Sequence, residues 1–170
     1  MASAAKITAK TVKQRLGQFL AESITAKVID EALSDRPSSF HYETEHVSLK
    51  LVVAANYLDT NNMFDPFGMG FTLVPGKLVV LKIINVKVRK ALQKKGIFTY
   101  LVKKLDAVAL ANKTAVAGVG VMQVQNPHLR RHLARKKWTI AASPGGLPCF
   151  GKFHDKAVAA YVAEKEGALH

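Results

Sequence analysis

Between Lys77 and Ala142 the chain switches back and forth between two periodicities, and that switching limits its possible folds more than any other feature. Lys77 to Val88 is dense in Val, Leu and Ile and reads as a long strand, predicted to be buried on both faces. Ile97, Leu101, Leu105 and Val108 then recur at helical spacing, which predicts a helix from Ile97 to Asn112 with that stripe inward. Ala115 to Gln125 returns to strand character, Asn126 to Lys137 to helix, and Trp138 to Ala142 to strand. Strands separated by helices of this length are joined by crossovers, so the class is α/β: a mixed sheet with helices on its faces.

The flanking segments fit around that unit. Residues 9–34 read as one helix or two, carrying Leu16, Phe19, Leu20, Ile24, Val28 and Leu33, and are closed by Ser34-Asp35-Arg36-Pro37. Lys6, Lys10, Lys13 and Arg15, with no acid before Glu22, superficially resemble a transit peptide. The apolar stripe runs straight through the supposed boundary, so a helix of the folded domain is the better account. His46 to Tyr57 alternates Val47, Leu49, Leu51 and Val53, the signature of a strand, and Glu43 and Glu45 read as outward strand positions. Residues 59–71 read as a loop, 70–74 as a short strand, Pro75-Gly76 as a tight turn and Pro144 to Pro148 as a loop. Phe150 to Phe153 adds an edge strand, and a helix capped by Asp155 closes the chain to Glu166.

One domain over 1–170 is expected: an N-terminal helical part at 1–36, antiparallel strands at 46–88, a core at 89–142 and a C-terminal loop and helix at 143–170. A chain of this length buries roughly 70% of its unfolded surface, enough for a core without disulfides or a structural metal. Cys149 is the single cysteine, and no Cys/His cluster has zinc-site spacing. No apolar run approaches the roughly 20 residues needed to cross a bilayer, and no secretory signal opens the chain. A cytoplasmic protein without a membrane partner is the expectation.

Charge is distributed unevenly. From Lys77 to His154 there are sixteen basic residues and one acid, Asp106, whereas the remainder is slightly acidic; the net charge of +13 therefore originates in one segment. A field of that sign attracts polyphosphates, nucleic acid or an acidic protein surface.

Within that segment Gln93 to Phe98, flanked by Arg89 and Lys90, joins the long strand to the helix. A basic loop with a glycine at a helix start suits phosphate: the first-turn N–H groups are unpaired, the helix dipole adds positive charge, and glycine lets an anion approach. It matches neither the P-loop nor the three-glycine dinucleotide fingerprint. The wider run Val88 to Leu101 resembles the pyrophosphate-loop motif of the GCN5-related N-acetyltransferase family, Gln/Arg-x-x-Gly-x-Gly/Ala. Strand 115–125, Asn126 and the helix leading to Trp138 look like that family's next strand, asparagine and aromatic-terminated helix.

The resemblance covers about residues 77–142 and implies an acyl-CoA N-acyltransferase-like fold that uses acetyl-CoA to acetylate an amine. Val86 and Val88 would offer backbone groups to the pantetheine arm. Gln93, Lys94, Gly96, Ile97 and Phe98 would present N–H groups to the pyrophosphate of coenzyme A, with Lys95 among the neutralising cations. Asn126 would contact the pantetheine amide. Three positions depart from the pattern: Phe98 stands where the family has Gly or Ala, Leu133 where many members place the Tyr that protonates the thiolate, and Lys137 where Gly is usual.

The long strand carries no carboxylate, so no general base is assigned; Glu43, Glu45, His46, Asp65 and Tyr100 are the candidates. His128 and His132 have i, i+4 spacing but lack a third ligand, so no metal is expected. Cys149, beside Pro148 and Phe150, reads as a buried inert thiol. The helix 126–137 supports an alternative. With Leu129 and Leu133 inward, Arg130, Arg131, Arg135, Lys136 and Lys137 would face outward and contact nucleic-acid phosphates, as in a non-catalytic protein of the same fold.

Overall fold

The computed structural model describes residues 7–56, 78–122, 124–142 and 148–154. The expected segments 59–71, 70–74, 75–76 and 155–166 and the loop after Pro144 lie outside the described residues or largely so. The N-terminal stripe forms two helices, α1 (Ala9–Ser23) and α2 (Ala26–Leu33). The break falls at Ile24, whose backbone leaves the helical region, and Thr25, whose hydroxyl accepts from the Val28 N–H to start α2. The apolar face continues across it, with Leu16, Leu20, Ile24 and Ile29 all buried.

Six described strands make one mixed sheet. β1 (Ser38–Glu43) pairs antiparallel with β2 (Val47–Asn56), and β2 antiparallel with β3 (Leu78–Val88). A right-sized crossover through α3 (Ile97–Ala111) brings β4 (Val116–Val121) parallel to β3. α4 (Pro127–Arg135) leads to β5 (Thr139–Ala142), and β6 (Pro148–Phe153) pairs antiparallel with both β4 and β5. The order is β1-β2-β3-β4-β6-β5, the mixed α/β sheet expected.

Several expectations are corrected. Residues 148–153 are not an edge strand: β6 is inserted between β4 and β5, where Cys149, Phe150 and Gly151 are buried, and β5 takes the edge. The strand expected at 115–125 leaves the ladder after Val121. Glu45 lies in the turn after β1, not on it. In α3 the fourth buried position is Ala109, four residues after Leu105, and Val108 is only partly buried against the core. Val12, Leu16, Leu49, Leu51, Val79, Leu81, Ile83, Leu101, Leu105 and Val119 belong to one core between the helices and one sheet face. Among the described residues no helix is long and apolar enough to cross a membrane.

Candidate cofactor site

The site forms where the two parallel strands separate. β3 and β4 pair up to Ile83 and Val121, and the Met122 N–H donates to the Ile83 carbonyl at 2.9 Å. Beyond that rung each strand follows a different neighbour: β3 stays on β2 as far as Val88, whereas the Val124 N–H donates to Pro148 O.

A bulge sets which groups of β3 face the gap. Leu51 opposes Ile83 and Lys50 opposes Asn85, so Ile84 is the extra residue. The Arg89 N–H donates to His46 O, and counting back in twos puts Lys87 and Asn85 on β2 as well. Val86 and Val88 therefore turn their backbone groups away from β2, toward the space β4 has vacated. These are the two residues the family resemblance singles out. The Val88 carbonyl is already occupied, accepting from Gln93 Nε2 at 3.0 Å, which leaves its N–H and both groups of Val86. The expectation that β3 is buried on both faces holds only to Ile83; Ile84, Asn85 and Lys87 are exposed.

After Val88 the chain makes a 3-10 turn at Lys90–Leu92 and enters α3 through a left-handed bend, with φ of 62° at Lys94 and 78° at Gly96. Gly96 caps α3 without a side chain. Among the described residues the amides of Lys94, Lys95, Gly96, Ile97, Phe98 and Thr99 find no acceptor, while the Tyr100 N–H returns to Gly96 O at 2.9 Å. Alternating left-handed residues aim successive N–H groups to one side, an arrangement suited to anions. Around the position where a Cβ of Gly96 would stand, leaving out its chain neighbours, the atoms within 4 Å are Nζ and Cε of Lys13. Among the described residues no aromatic ring lies within 4 Å of that position.

Phe98 is half-buried, packs against the core and lines a cavity of about 220 Å³ between α3 and α4. Val102, Leu133 and Trp138 complete its apolar wall, and Lys103, His132, Lys136 and Lys152 supply its polar side. The parted strands, the row of free amides and the surrounding cations together fit the pantetheine arm and diphosphate of coenzyme A.

The other expected residues are placed unevenly. Asn126 caps α4, its Oδ1 accepting from the N–H groups of His128 and Leu129, so its oxygen is committed to the helix. Leu133 is 1% exposed and brings no hydroxyl to the site. None of the candidate bases among the described residues is brought to the gap. Glu43 pairs with His41 on β1, Glu45 with His46 in the turn, Tyr100 has its hydroxyl against Gly17 of α1, and Asp65 lies outside the described residues. Arg130 does not face outward: its Nε donates to Val124 O at 2.7 Å, tying α4 to the chain leaving β4. Arg131 is exposed and bonded to His128 Nδ1, and Arg135, Lys136 and Lys137 are exposed. Lys137 adopts a φ of 60°, the conformation for which glycine is usual. Cys149 is buried on β6. Sequence reading missed Lys13, the bulge at Ile84 and the buried Lys82 on the rung beside Ile83.

No protein-family model and no curated protein matches the sequence. Among solved structures, a mutant of the AtaT toxin bound to the C-terminus of the antitoxin AtaR and acetyl-CoA is 10% identical, at a TM-score of 0.42 over 68% of this chain and 64% of that one. AtaT complexed with acetyl-methionyl-tRNA is 9% identical, TM-score 0.45, over 87% and 86% of the two chains. Ard1 from Thermoplasma volcanium is 12% identical, TM-score 0.30, over 86% and 91%. The chain thus spans under two thirds of the first of these structures, and all three likenesses are distant.

Proposed function

We propose that this chain is an acetyl-CoA-dependent N-acetyltransferase with the architecture of the GCN5-related family, built as one domain. The observation that carries the reading is the combination at one strand end: β3 and β4 part after Ile83, the bulge turns Val86 and Val88 into the gap, and the free amides of 94–99 follow directly. The pantetheine arm would pair with Val86 as an added strand, and the diphosphate would lie on the turn at Lys94 and Gly96. Acetyl-CoA supplies the thioester: the acceptor amine attacks its carbonyl carbon, the C–S bond breaks, and the thiolate leaves with a proton. The chain's contribution is positioning and N–H donation. With Leu133 in place of a tyrosine and no carboxylate on β3, water would carry the protons.

Calorimetric titration with acetyl-CoA tests this. Wild-type protein is expected to bind, and Gly96→Val, which forces a β-branched residue into the left-handed region, is expected to weaken binding at least about tenfold. Failure of the wild type to bind acetyl-CoA would sink the reading.

Arg131, Arg135, Lys136 and Lys137, exposed on α4 and the turn after it, support a second proposal, a nucleic-acid contact on the same domain. Affinity for duplex DNA or RNA that falls steeply between two salt concentrations is the expected sign. Salt-insensitive or absent binding would remove it.

A further inference from the structure

Lys13 lies on α1, outside every motif that pointed to the cofactor. Its ammonium nonetheless reaches the cradle: Nζ stands 3.4 Å from the position a Cβ of Gly96 would take. Close packing of α1 on α3 delivers it there. One turn further along each helix, Gly17 lies against the Tyr100 hydroxyl, 2.6 Å from its own would-be Cβ. The two contacts advance together by four residues on both helices, so α1 and α3 run side by side, and the missing side chain of Gly17 is what leaves room for Tyr100.

The placement is electrostatically costly by itself. Lys13 is half-buried, has no acidic partner among the described residues, and sits at the positive end of α3 beside Lys94 and Lys95. A cation at a helix N-terminus opposes the dipole, and α3 has no acid in its first turn to offset it. A flexible lysine could extend into water instead. Its position over the free amides is favourable when an anion lies between them, since the ammonium and the N–H groups then share one charge.

We propose that Lys13 is a ligand of the coenzyme A diphosphate, reaching across from α1 to close the cradle from the side opposite the backbone amides. This rests on the acetyl-CoA reading. It adds a selectivity that the backbone does not provide: Lys13 would contribute to ligands that carry the diphosphate and not to the pantetheine arm alone.

The test is titration of wild type, Lys13→Met and Lys13→Arg with acetyl-CoA, pantetheine and ADP. Lys13→Met is expected to bind acetyl-CoA about tenfold or more weakly, the loss of one charge-assisted contact, with affinity for pantetheine unchanged. Lys13→Arg should retain most of the affinity, and the melting temperature of Lys13→Met should equal or exceed that of wild type because a repulsion is removed. If Lys13→Met binds acetyl-CoA as wild type does, or loses pantetheine equally, the assignment is overturned while the acetyl-CoA reading stands. If wild type ignores acetyl-CoA but binds ADP in a Lys13-dependent way, the reading fails and the diphosphate role of Lys13 survives. Binding of neither overturns both.

Discussion

The two halves of β3 have nearly the same composition and opposite fates. From Val79 to Ile83 the strand lies between β2 and β4 and every residue is buried, Lys82 included. From Ile84 to Val88 it keeps β2 but loses β4, and three of five residues are exposed. The first half is held by packing and by ladders on both edges. The second keeps backbone groups of Val86 and Val88 unpaired on one edge, a liability in an ordinary sheet and a binding surface here. The departure of β4 after Val121 separates the halves, and one extra residue, Ile84, shifts the phase so that even-numbered rather than odd-numbered residues turn their backbone groups to the edge β4 has left.

The largest effect should come from the paired half. Leu81 is fully buried, and Leu81→Ala is expected to cost about 3 kcal/mol from lost burial and the cavity left behind. Urea unfolding measures it; a cost below about 1 kcal/mol would mean that the two halves do not differ in the way the burial says.

A sharper comparison uses proline within the parted half. Lys87 turns its N–H to β2, so Lys87→Pro should remove a ladder bond and destabilise the fold by about 1–3 kcal/mol, the cost of leaving its partner unpaired. Val86→Pro removes an N–H that faces the gap. It should be the milder change in unfolding experiments and the more damaging one in acetyl-CoA titration. Equal effects of the two in both measurements would show that Val86 does not face the gap.

How much of this was legible depends on whether a feature is local. The strand–helix alternation from 77 to 142 gave the sheet class, since each element carries its own period. The bulge was also written in the chain: apolar positions fall on odd numbers at Val79, Leu81 and Ile83 and on even numbers at Val86 and Val88. Reading that run as buried on both faces overlooked the slip in phase. The insertion of β6 between β4 and β5 had no local signal, because neighbours within a sheet are chosen by tertiary pairing. Neither did Lys13, which is a surface lysine by every sequence criterion and reaches the cradle only because Gly17 admits Tyr100. Arg130 read as one of five outward cations. Its bond to Val124 O follows from where the chain leaves β4, which helical spacing alone does not reveal.

Asn126 separates the two roles on the other wall of the gap. Asn126→Ala removes the oxygen that accepts from His128 and Leu129, and should cost about 1 kcal/mol of stability as any lost N-cap does. Asn126→Asp keeps the capping oxygen and removes the amide donor. Stability near wild type with weakened acetyl-CoA binding would show that the remaining N–H groups serve the cofactor; unchanged binding would leave Asn126 as a cap alone.

The smallest expected effect tests the bulge itself. Ile84 is 37% exposed, one of the large apolar side chains left on the surface, and it sits where the strands begin to part. Its side chain contributes little to the core, so Ile84→Ser should alter stability by no more than about 0.5 kcal/mol. Deleting residue 84 closes the bulge but leaves Asn85 opposite Lys50 and Val86 opposite Leu49, so Val86 and Val88 keep their backbone groups toward the gap. Both variants should therefore retain binding in acetyl-CoA titration run beside urea unfolding; loss of binding by the serine variant at unchanged stability would show that the site needs the Ile84 side chain and not only the backbone groups of the second half of β3.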